Sequence, residues 1–326
     1  MNMTMTRAIL LAAMLLTIAA PARGGDGQGN PAQDWLALAA ADSGEKDDSP
    51  HRHKPVEPAE WTKPIPISFN LSYTLISDYI FRGINFSEYS GEGREKPNHQ
   101  TALGVEYDTG KFGSIGACFW FEWYAAQEKL TPDYGGNTQE IDYMVYWKYA
   151  IPNLATTVET GWIAYTFPPL KGDAHTDYEW YLKVSFDDSG LWKTAKPVLN
   201  PYVAYYHDLD LAKNASWWEM GISHGFAMGD YFKDAPILKD ITVTPSLVLG
   251  VNRRYYEKIG LGGSPSTRLA NLNYGLEVSY DLSGAIKLPP QAGKMTVGGL
   301  LNYSQALYDE LINDEFYGGL KLSYAW

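Results

Sequence analysis

Strict alternation of apolar and polar side chains dominates the chain from residue 65 to its last residue. In the segment 315–326 one parity carries Phe316, Leu320, Leu322, Tyr324 and Trp326, and the other carries Lys321, Ser323 and Ala325. Successive side chains of a β-strand point to opposite faces, so this segment predicts a strand with one apolar side. An open edge of that kind invites pairing with other chains. In a closed barrel within a bilayer, the last strand pairs with the first and the apolar side faces lipid.

About twelve segments share this period of two, and several reach the roughly 9–11 residues with which a tilted strand crosses a bilayer. They lie at 65–77, 98–108, 112–124, 138–150, 153–166, 176–187, 198–208, 216–227, 241–252, 271–282, 294–304 and 315–326. An even strand number is expected of bacterial single-chain barrels. The sequence therefore predicts an all-β fold, a transmembrane antiparallel up-and-down β-barrel of about 12 strands. Ten or fourteen strands are the alternatives, and Pro201 and Pro245 interrupt two of the segments.

The first residues predict export. Arg7 is followed by the apolar run 8–20 and by Ala20-Pro21-Ala22, which has the form of a signal-peptide cleavage site. We therefore assign 1–22 to a signal peptide, 23–64 to a flexible periplasmic leader and 65–326 to the barrel, located in the bacterial outer membrane. His51 and His53 in the leader suggest either a metal ligand pair or, the simpler interpretation, a solvated linker.

Connection lengths and composition agree with a barrel. The long connections 78–97, 125–137, 253–270 and 305–314 all follow odd-numbered strands, as extracellular loops do. Tight connections at 109–111 and 151–152 follow even-numbered strands. The aromatic clusters at 120–124, 205–206 and 217–218 predict belts at the membrane interface. The net charge of −12 argues against nucleic-acid binding, and the single Cys118 excludes an internal disulfide framework.

The stretch directly after the first strand is Ser77-Asp78-Tyr79-Ile80-Phe81-Arg82-Gly83-Ile84. This stretch resembles the hallmark of the TorF family of outer-membrane porins, most of which are uncharacterised. The resemblance implies an outer-membrane barrel and a channel, without a substrate. From the residues themselves, Gly83 permits a sharp bend. Arg82 either pairs with Asp78 as a staple within the loop or reaches inward to carboxylates and forms a pore constriction.

The polar parity of the strands predicts the lining of the barrel. With Arg82 it supplies the predicted pore-lining set: Glu106, Glu122, Asp142, Lys148, Glu159, Glu179, Lys183, Glu219 and Glu277, to which Lys321 adds a further amine. Carboxylates outnumber amines, so the interior is expected to be negative, and charged rings select ion sign. The sequence thus predicts a porin-like channel for passive diffusion of small solutes, preferring cations. The alternative is that internal salt bridges fill a narrow barrel, which would be structural or surface-binding and would not conduct.

Enzymatic function is not predicted. His207-Asp208 and Ser223-His224 are the candidates for an outer-membrane hydrolase, but neighbours on a strand face opposite ways and the chain has no G-x-S-x-G motif. The segment 208–214 begins like a calcium loop but lacks its glycine. We therefore predict no catalytic residue, metal or cofactor. The expected partners are outer-membrane lipids, lipopolysaccharide phosphates at the basic loop 253–270, small solutes, and the barrel-assembly machinery through the C-terminal strand.

Overall fold

The computed structural model describes residues 65–87, 97–124, 138–167 and 175–326. The predicted signal peptide, leader and histidine pair lie outside these ranges. Twelve barrel strands are present: β1 Ile67–Ile76, β2 Asn98–Asp108, β3 Ser114–Tyr124, β4 Thr138–Ile151, β5 Thr156–Phe167, β6 His175–Phe186, β7 Tyr202–Asp208, β8 Ser216–Ser223, β9 Ile241–Arg253, β10 Thr267–Asp281, β11 Lys294–Ala306 and β12 Glu315–Ala325. Three shorter strands, Ile80–Phe81, Ile84–Asn85 and Phe226–Ala227, accompany them.

The sheet closes on itself. Each barrel strand pairs antiparallel with its neighbours in sequence, and β1 pairs with β12 from Asn70 opposite Ala325 to Ile76 opposite Gly319. Beyond that ladder, Phe69 and Trp326 exchange two backbone hydrogen bonds of 2.8 and 2.9 Å. The twelve-stranded antiparallel barrel predicted from the alternation is therefore confirmed.

Both prolines fit the observed strands. β7 begins at Tyr202, so Pro201 precedes the strand, and the expected start at 198 was too early. Pro245 lies within β9, where it accepts a backbone hydrogen bond from His224. At that point β8 has ended and the short strand Phe226–Ala227 has not begun. The N–H that proline lacks thus coincides with a break in the neighbouring ladder.

The outward face of the strands is apolar and exposed. Its exposed large side chains include Leu71, Tyr73, Leu103, Phe119, Tyr143, Val145, Trp162, Val184, Val203, Met220, Leu276, Leu301, Leu320 and Leu322. Such a surface on a soluble barrel would remain wetted, whereas a bilayer covers it, and a closed barrel leaves no backbone group of the sheet unpaired in lipid. In the described ranges no helix has the length and apolar character to cross a bilayer.

The connections differ between the two ends of the barrel. At one end, the 3₁₀ turns Gly110–Phe112 and Pro152–Leu154 join β2 to β3 and β4 to β5. The longer connections at that end contain helix α1 (Ser189–Trp192) and the 3₁₀ turns Met228–Asp230, Leu238–Asp240 and Pro290–Ala292. At the other end, helix α2 (Tyr255–Lys258) follows β9. The loop after β1 also starts at this second end, and it enters the barrel.

Candidate functional site: a hairpin inside the barrel

The segment after β1 forms a tight hairpin, here called the lumen hairpin (residues 79–87). Ile80–Phe81 pairs with Ile84–Asn85, and Arg82 and Gly83 form the two-residue turn. Both turn residues have positive φ, 55° and 78°, which is the signature of a type I′ turn. Gly83 adopts this conformation freely, and a Cβ there would approach Ile312 Cδ1 to 2.8 Å. The glycine of the motif is thus required both by the turn and by its surroundings.

The lumen hairpin lies inside the barrel, because its partners surround it. The Tyr79 ring packs at a tilt against Trp120 of β3, and its hydroxyl donates a 2.6 Å hydrogen bond to Glu140 of β4. Phe81 packs edge-on against Tyr165 of β5. On the opposite side, the Asn85 amide donates to a Glu315 carboxylate oxygen of β12 at 3.2 Å. Ile80 is completely buried.

Arg82 is held by a buried carboxylate. Its two terminal nitrogens bind both oxygens of Glu179 on β6, at 2.6 and 2.8 Å, and the two side chains are 1% and 2% exposed. Tyr165 donates a 2.9 Å hydrogen bond to the same carboxylate. Tyr256 of α2 donates a 2.6 Å hydrogen bond to the Arg82 carbonyl. Of the two roles considered for Arg82, the structure thus contains the inward one, with Glu179 as its ion-pair partner.

Aromatic rings enclose the same guanidinium. The Arg82 Cζ atom lies 4.4 Å from the ring centre of Tyr255, 5.4 Å from that of Tyr206 and 5.6 Å from that of Trp217. Phe81 of the hairpin itself lies at 4.7 Å. These distances are within the range of cation–π attraction. Burial raises the pKa of the Tyr255 phenol well above its ordinary value, although the nearby Arg82 charge opposes this, so the ring stays neutral.

We call Glu179, Tyr206, Trp217 and Tyr255 the arginine box. Its members come from β6, β7, β8 and α2. None of the three rings was expected here: the clusters at 205–206 and 217–218 were predicted to face the membrane interface. Adjacent strand residues face opposite ways, so Tyr206 and Trp217 point inward at 1% exposure while Trp218 stays outside at 40%. The same applies to Trp120, which is buried.

Further carboxylates surround the hairpin. Glu140 and Asp142 of β4 are neighbouring acidic side chains, as are Asp177 of β6 and Asp208 of β7. Glu219 of β8 accepts a 3.2 Å hydrogen bond from the indole nitrogen of Trp217. Glu122 of β3 accepts from the Asn98 amide. All these acidic residues are buried.

A second layer of charges lies beyond the hairpin. Lys148 Nζ contacts Glu106 Oε2 at 2.6 Å, and Tyr146 donates to the same oxygen at 3.0 Å. Across the barrel, Lys321 Nζ contacts Glu277 Oε2 at 3.2 Å.

In the same layer, Glu159 accepts a 2.8 Å hydrogen bond from Tyr181. Lys183 Nζ lies 4.4 Å from the Tyr202 ring centre. Each amine of this layer is therefore engaged with a carboxylate or a ring.

The structure brings the predicted pore-lining residues into two groups. Glu122, Asp142, Glu179 and Glu219 gather with Arg82 around the hairpin, and Glu106, Lys148, Glu159, Lys183 and Glu277 lie in the second layer with Lys321. The sequence-based prediction did not include Glu140, Asp177, Asp208 or Glu315 among the interior residues. Glu140 shares the parity of Asp142, and Asp177 that of Glu179, so the alternation contained the signal. Cys118 is a buried free thiol in β3.

The candidate hydrolase residues do not assemble into a catalytic group. His207 stacks on Tyr205, with Nδ1 3.3 Å from its hydroxyl, while Asp208 is buried on the other face of β7. His224 packs edge-on against Phe226. In the basic loop, Arg254 pairs with Glu257 at 3.0 Å. Arg268, at the start of β10, lies over the ring of Tyr308 at 5.2 Å.

Comparisons with known proteins give distant matches only. No protein-family model matches the chain, and no curated protein matches it. Among solved structures, a NanC porin matches with 13% identity, 79% of this chain, 98% of that chain and a TM-score of 0.41. The COG4313 outer membrane channel from Pseudomonas putida F1 matches with 8% identity over 83% of this chain and 100% of that chain, with a TM-score of 0.43. Outer membrane phospholipase A from Escherichia coli matches with 10% identity over 79% of this chain and 95% of that chain, with a TM-score of 0.38. Channels and an enzyme are among these matches, and the class of protein follows from the chain's own residues.

Those residues define the class of protein. Twelve antiparallel strands close into a barrel, the outer face is apolar, and a set of charged side chains, among them Arg82, Glu179 and Lys183, is buried inside. Single-chain barrels of even strand number with this polarity are proteins of bacterial outer membranes. The chain is an outer-membrane β-barrel, and a hairpin from its first loop occupies the interior.

Proposed function

We propose that the protein is a porin-like channel for passive diffusion of small solutes, that it prefers cations, and that the lumen hairpin is its constriction. One observation carries the proposal: the interior is rich in carboxylates around a single constricting arginine. Glu179 neutralises Arg82, and Lys148 and Lys321 are paired. Among the remaining buried side chains of the interior, acidic residues outnumber basic ones.

The position of the charges supports cation preference. Carboxylates at Glu122, Glu140, Asp142, Asp177, Asp208 and Glu219 all lie near the lumen hairpin, where a passing ion would be closest to the wall. A ring of carboxylates attracts cations and repels anions in a narrow pore. The resemblance of residues 77–84 to the TorF family of porins points to a channel as well, and in this chain those residues form the constricting hairpin.

A second candidate is a non-conducting barrel that acts as a structural or surface-binding protein. The observation favouring it is the extent of the hairpin's contacts, which reach from Trp120 on β3 to Glu315 on β12. If these contacts persist at all times, the hairpin is a permanent plug. An enzymatic role has no comparable support, because His207 and His224 contact aromatic rings, and we propose no catalytic residue, cofactor or metal.

Planar-bilayer recordings of the purified barrel in a KCl gradient distinguish these candidates. The channel proposal expects resolvable conductance and a reversal potential of the cation-selective sign. In Glu219→Gln, with one carboxylate neutralised, selectivity should weaken. Anion selectivity of the wild type would contradict the proposal. A silent wild type, together with conductance from a variant whose residues 79–86 are replaced by glycine and serine, would identify the hairpin as a permanent plug.

The proposed partners follow from the surface. Lipopolysaccharide phosphates are the proposed partners of the basic loop 253–270, where Arg254 and Arg268 already have intramolecular partners. Strand β12 is the proposed contact for the barrel-assembly machinery, since it closes the barrel against β1.

A further inference from the structure

We infer that the arginine box is a binding site for guanidinium-type organic cations, and that Arg82 occupies it as a tethered ligand. The inference deepens the proposed function, on which it rests for its role in transport, by naming the class of cation that the channel would bind. The binding itself is a property of four wall residues and can be measured without any conductance.

The arginine box belongs to the barrel wall and not to the lumen hairpin. Glu179, Tyr206 and Trp217 lie on three consecutive barrel strands, and Tyr255 lies on α2 directly after β9. Tyr165 of β5 holds the Glu179 carboxylate from behind with a 2.9 Å hydrogen bond. Strand pairing therefore keeps Glu179, Tyr206 and Trp217 in place when the hairpin moves, and α2 directly follows β9.

The arginine box contacts the planar guanidinium end of the Arg82 side chain. Both terminal nitrogens bind the two Glu179 oxygens, at 2.6 and 2.8 Å. Within the described residues the Nε atom has no hydrogen-bond partner. What the box recognises is thus the fork of two N–H groups with its flat faces, which an alkylguanidinium presents equally well. An ammonium ion lacks the planar fork and would make a weaker fit.

The three aromatic rings of the arginine box complete a cage for a cation. Tyr255, Tyr206 and Trp217 lie at 4.4, 5.4 and 5.6 Å from the guanidinium carbon, with their faces or edges against a site that excludes water. Aromatic cages with one carboxylate bind desolvated organic cations. An inorganic cation keeps its hydration shell and gains little from such walls.

The backbone of Arg82 is strained. A non-glycine residue at φ 55° is disfavoured, and the first position of a type I′ turn normally carries asparagine, aspartate or glycine. Arginine at this position is explained by the box that its side chain fills. Placing the Arg82 side chain in the box therefore requires a strained backbone in the turn. A free cation would bind in the box without this backbone strain.

The test uses Arg82→Asn, which gives the Asn-Gly pair that type I′ turns favour and is too short to fill the box. The full-length barrel in detergent is heated with increasing methylguanidinium chloride, and unfolding is followed by heat-modifiable gel mobility and tryptophan emission. Methylammonium chloride at equal concentration controls for ionic strength. We expect a saturable rise in the midpoint of about 3 °C at ten times the Kd. The wild type, whose box is occupied, should respond no more to methylguanidinium than to methylammonium.

The matched control is Arg82→Asn combined with Glu179→Gln, which removes the carboxylate and should abolish the response. The inference is overturned if Arg82→Asn shows no saturable response, responds equally to methylammonium, or responds equally in the double variant. If Arg82→Asn yields no folded barrel, the same titration is performed on Arg82→Gly, which also tolerates positive φ. Because binding is measured in detergent, a barrel that binds methylguanidinium but does not conduct would refute the channel and leave the site.

Discussion

The Arg82–Glu179 pair allows a quantitative prediction for Glu179→Gln. The substitution keeps the shape of the side chain and a carbonyl oxygen for the Tyr165 hydroxyl, but it removes the charge. Both partners are nearly inaccessible to water, at 1% and 2% exposure. Removing one partner of a buried ion pair leaves the other charge uncompensated and costs about 3–5 kcal/mol. The aromatic rings around Arg82 retain part of its stabilisation, so we take about 3 kcal/mol, the lower end of that range.

That energy acts on the lumen hairpin in particular, because Arg82 is its tip. If the hairpin leaves the box as a unit, its opening equilibrium should increase by on the order of 100-fold, since each 1.4 kcal/mol corresponds to a factor of ten. Hydrogen exchange followed by mass spectrometry measures this equilibrium at the amides of residues 79–87. Protection there should fall by that factor, while protection of β10, β11 and β12 should not change.

A matched control is present in the same chain. Arg254 and Glu257 also form a two-pronged pair, at 3.0 and 3.1 Å, but on the surface. Exposed pairs contribute little to stability, so Glu257→Gln should leave exchange at 79–87 unaltered. The reasoning is refuted if Glu179→Gln leaves the protection of 79–87 within threefold of wild type. It is also refuted if protection falls equally throughout the barrel, since Glu179 would then stabilise the wall and not the hairpin.

Three further predictions concern Gly83 and Tyr256 at the hairpin and Asp188 in the turn between β6 and β7. Gly83→Ala should speed exchange at 79–87 far more than Gly260→Ala speeds exchange in its own loop, because both glycines have positive φ but only Gly83 would bring a Cβ within 2.8 Å of Ile312; equal effects would show that packing plays no part. Tyr256→Phe leaves the buried Arg82 carbonyl without its 2.6 Å donor, and should destabilise the hairpin by about 1–3 kcal/mol in the same exchange measurement. Burial of Asp188, in the turn between β6 and β7, acts to raise its pKa. The N–H groups of Val198 and Leu199 outweigh this effect and hold the pKa below its ordinary value. A lowered folded-state pKa stabilises above the unfolded value, about 3.9, and this contribution is lost as the pH falls through the folded value. Asp188→Asn should therefore lower the unfolding midpoint at pH 7, with a difference that shrinks below about pH 4, whereas the exposed neighbour change Asp187→Asn should give a small effect at both.

The barrel was predictable because lipid and lumen impose opposite demands on successive residues. In β4, for example, Tyr143 and Val145 face outward while Asp142 and Met144 face inward, and the period of two is visible without a structure. Strand ends were less predictable. At Tyr202 the strand begins later than the alternation suggested, because Pro201 and the turn that precedes it occupy the expected start.

The hairpin was only partly predictable. Gly83 indicated a bend, and Arg82 was considered as an inward-facing residue, but nothing in the eight-residue motif specifies which carboxylate it meets. Glu179 lies 97 positions further along the chain, and the rings of Tyr206 and Trp217 were assigned to the membrane interface. Long-range pairing inside a barrel depends on how far the loop turns inward, which local periodicity does not encode.

The lumen hairpin also has a consequence for how the barrel is built. It follows the first strand, yet its contacts include Glu315 of the last one, 230 residues later. Because its contacts reach from β3 to β12, we expect the hairpin to be in place before β1 meets β12. The sheet would then close around the hairpin. Contacts between residues far apart in sequence, such as Asn85 with Glu315, are expected to slow folding. Substitutions in the hairpin should therefore reduce the yield of assembled barrel before they measurably affect the stability of those molecules that do close.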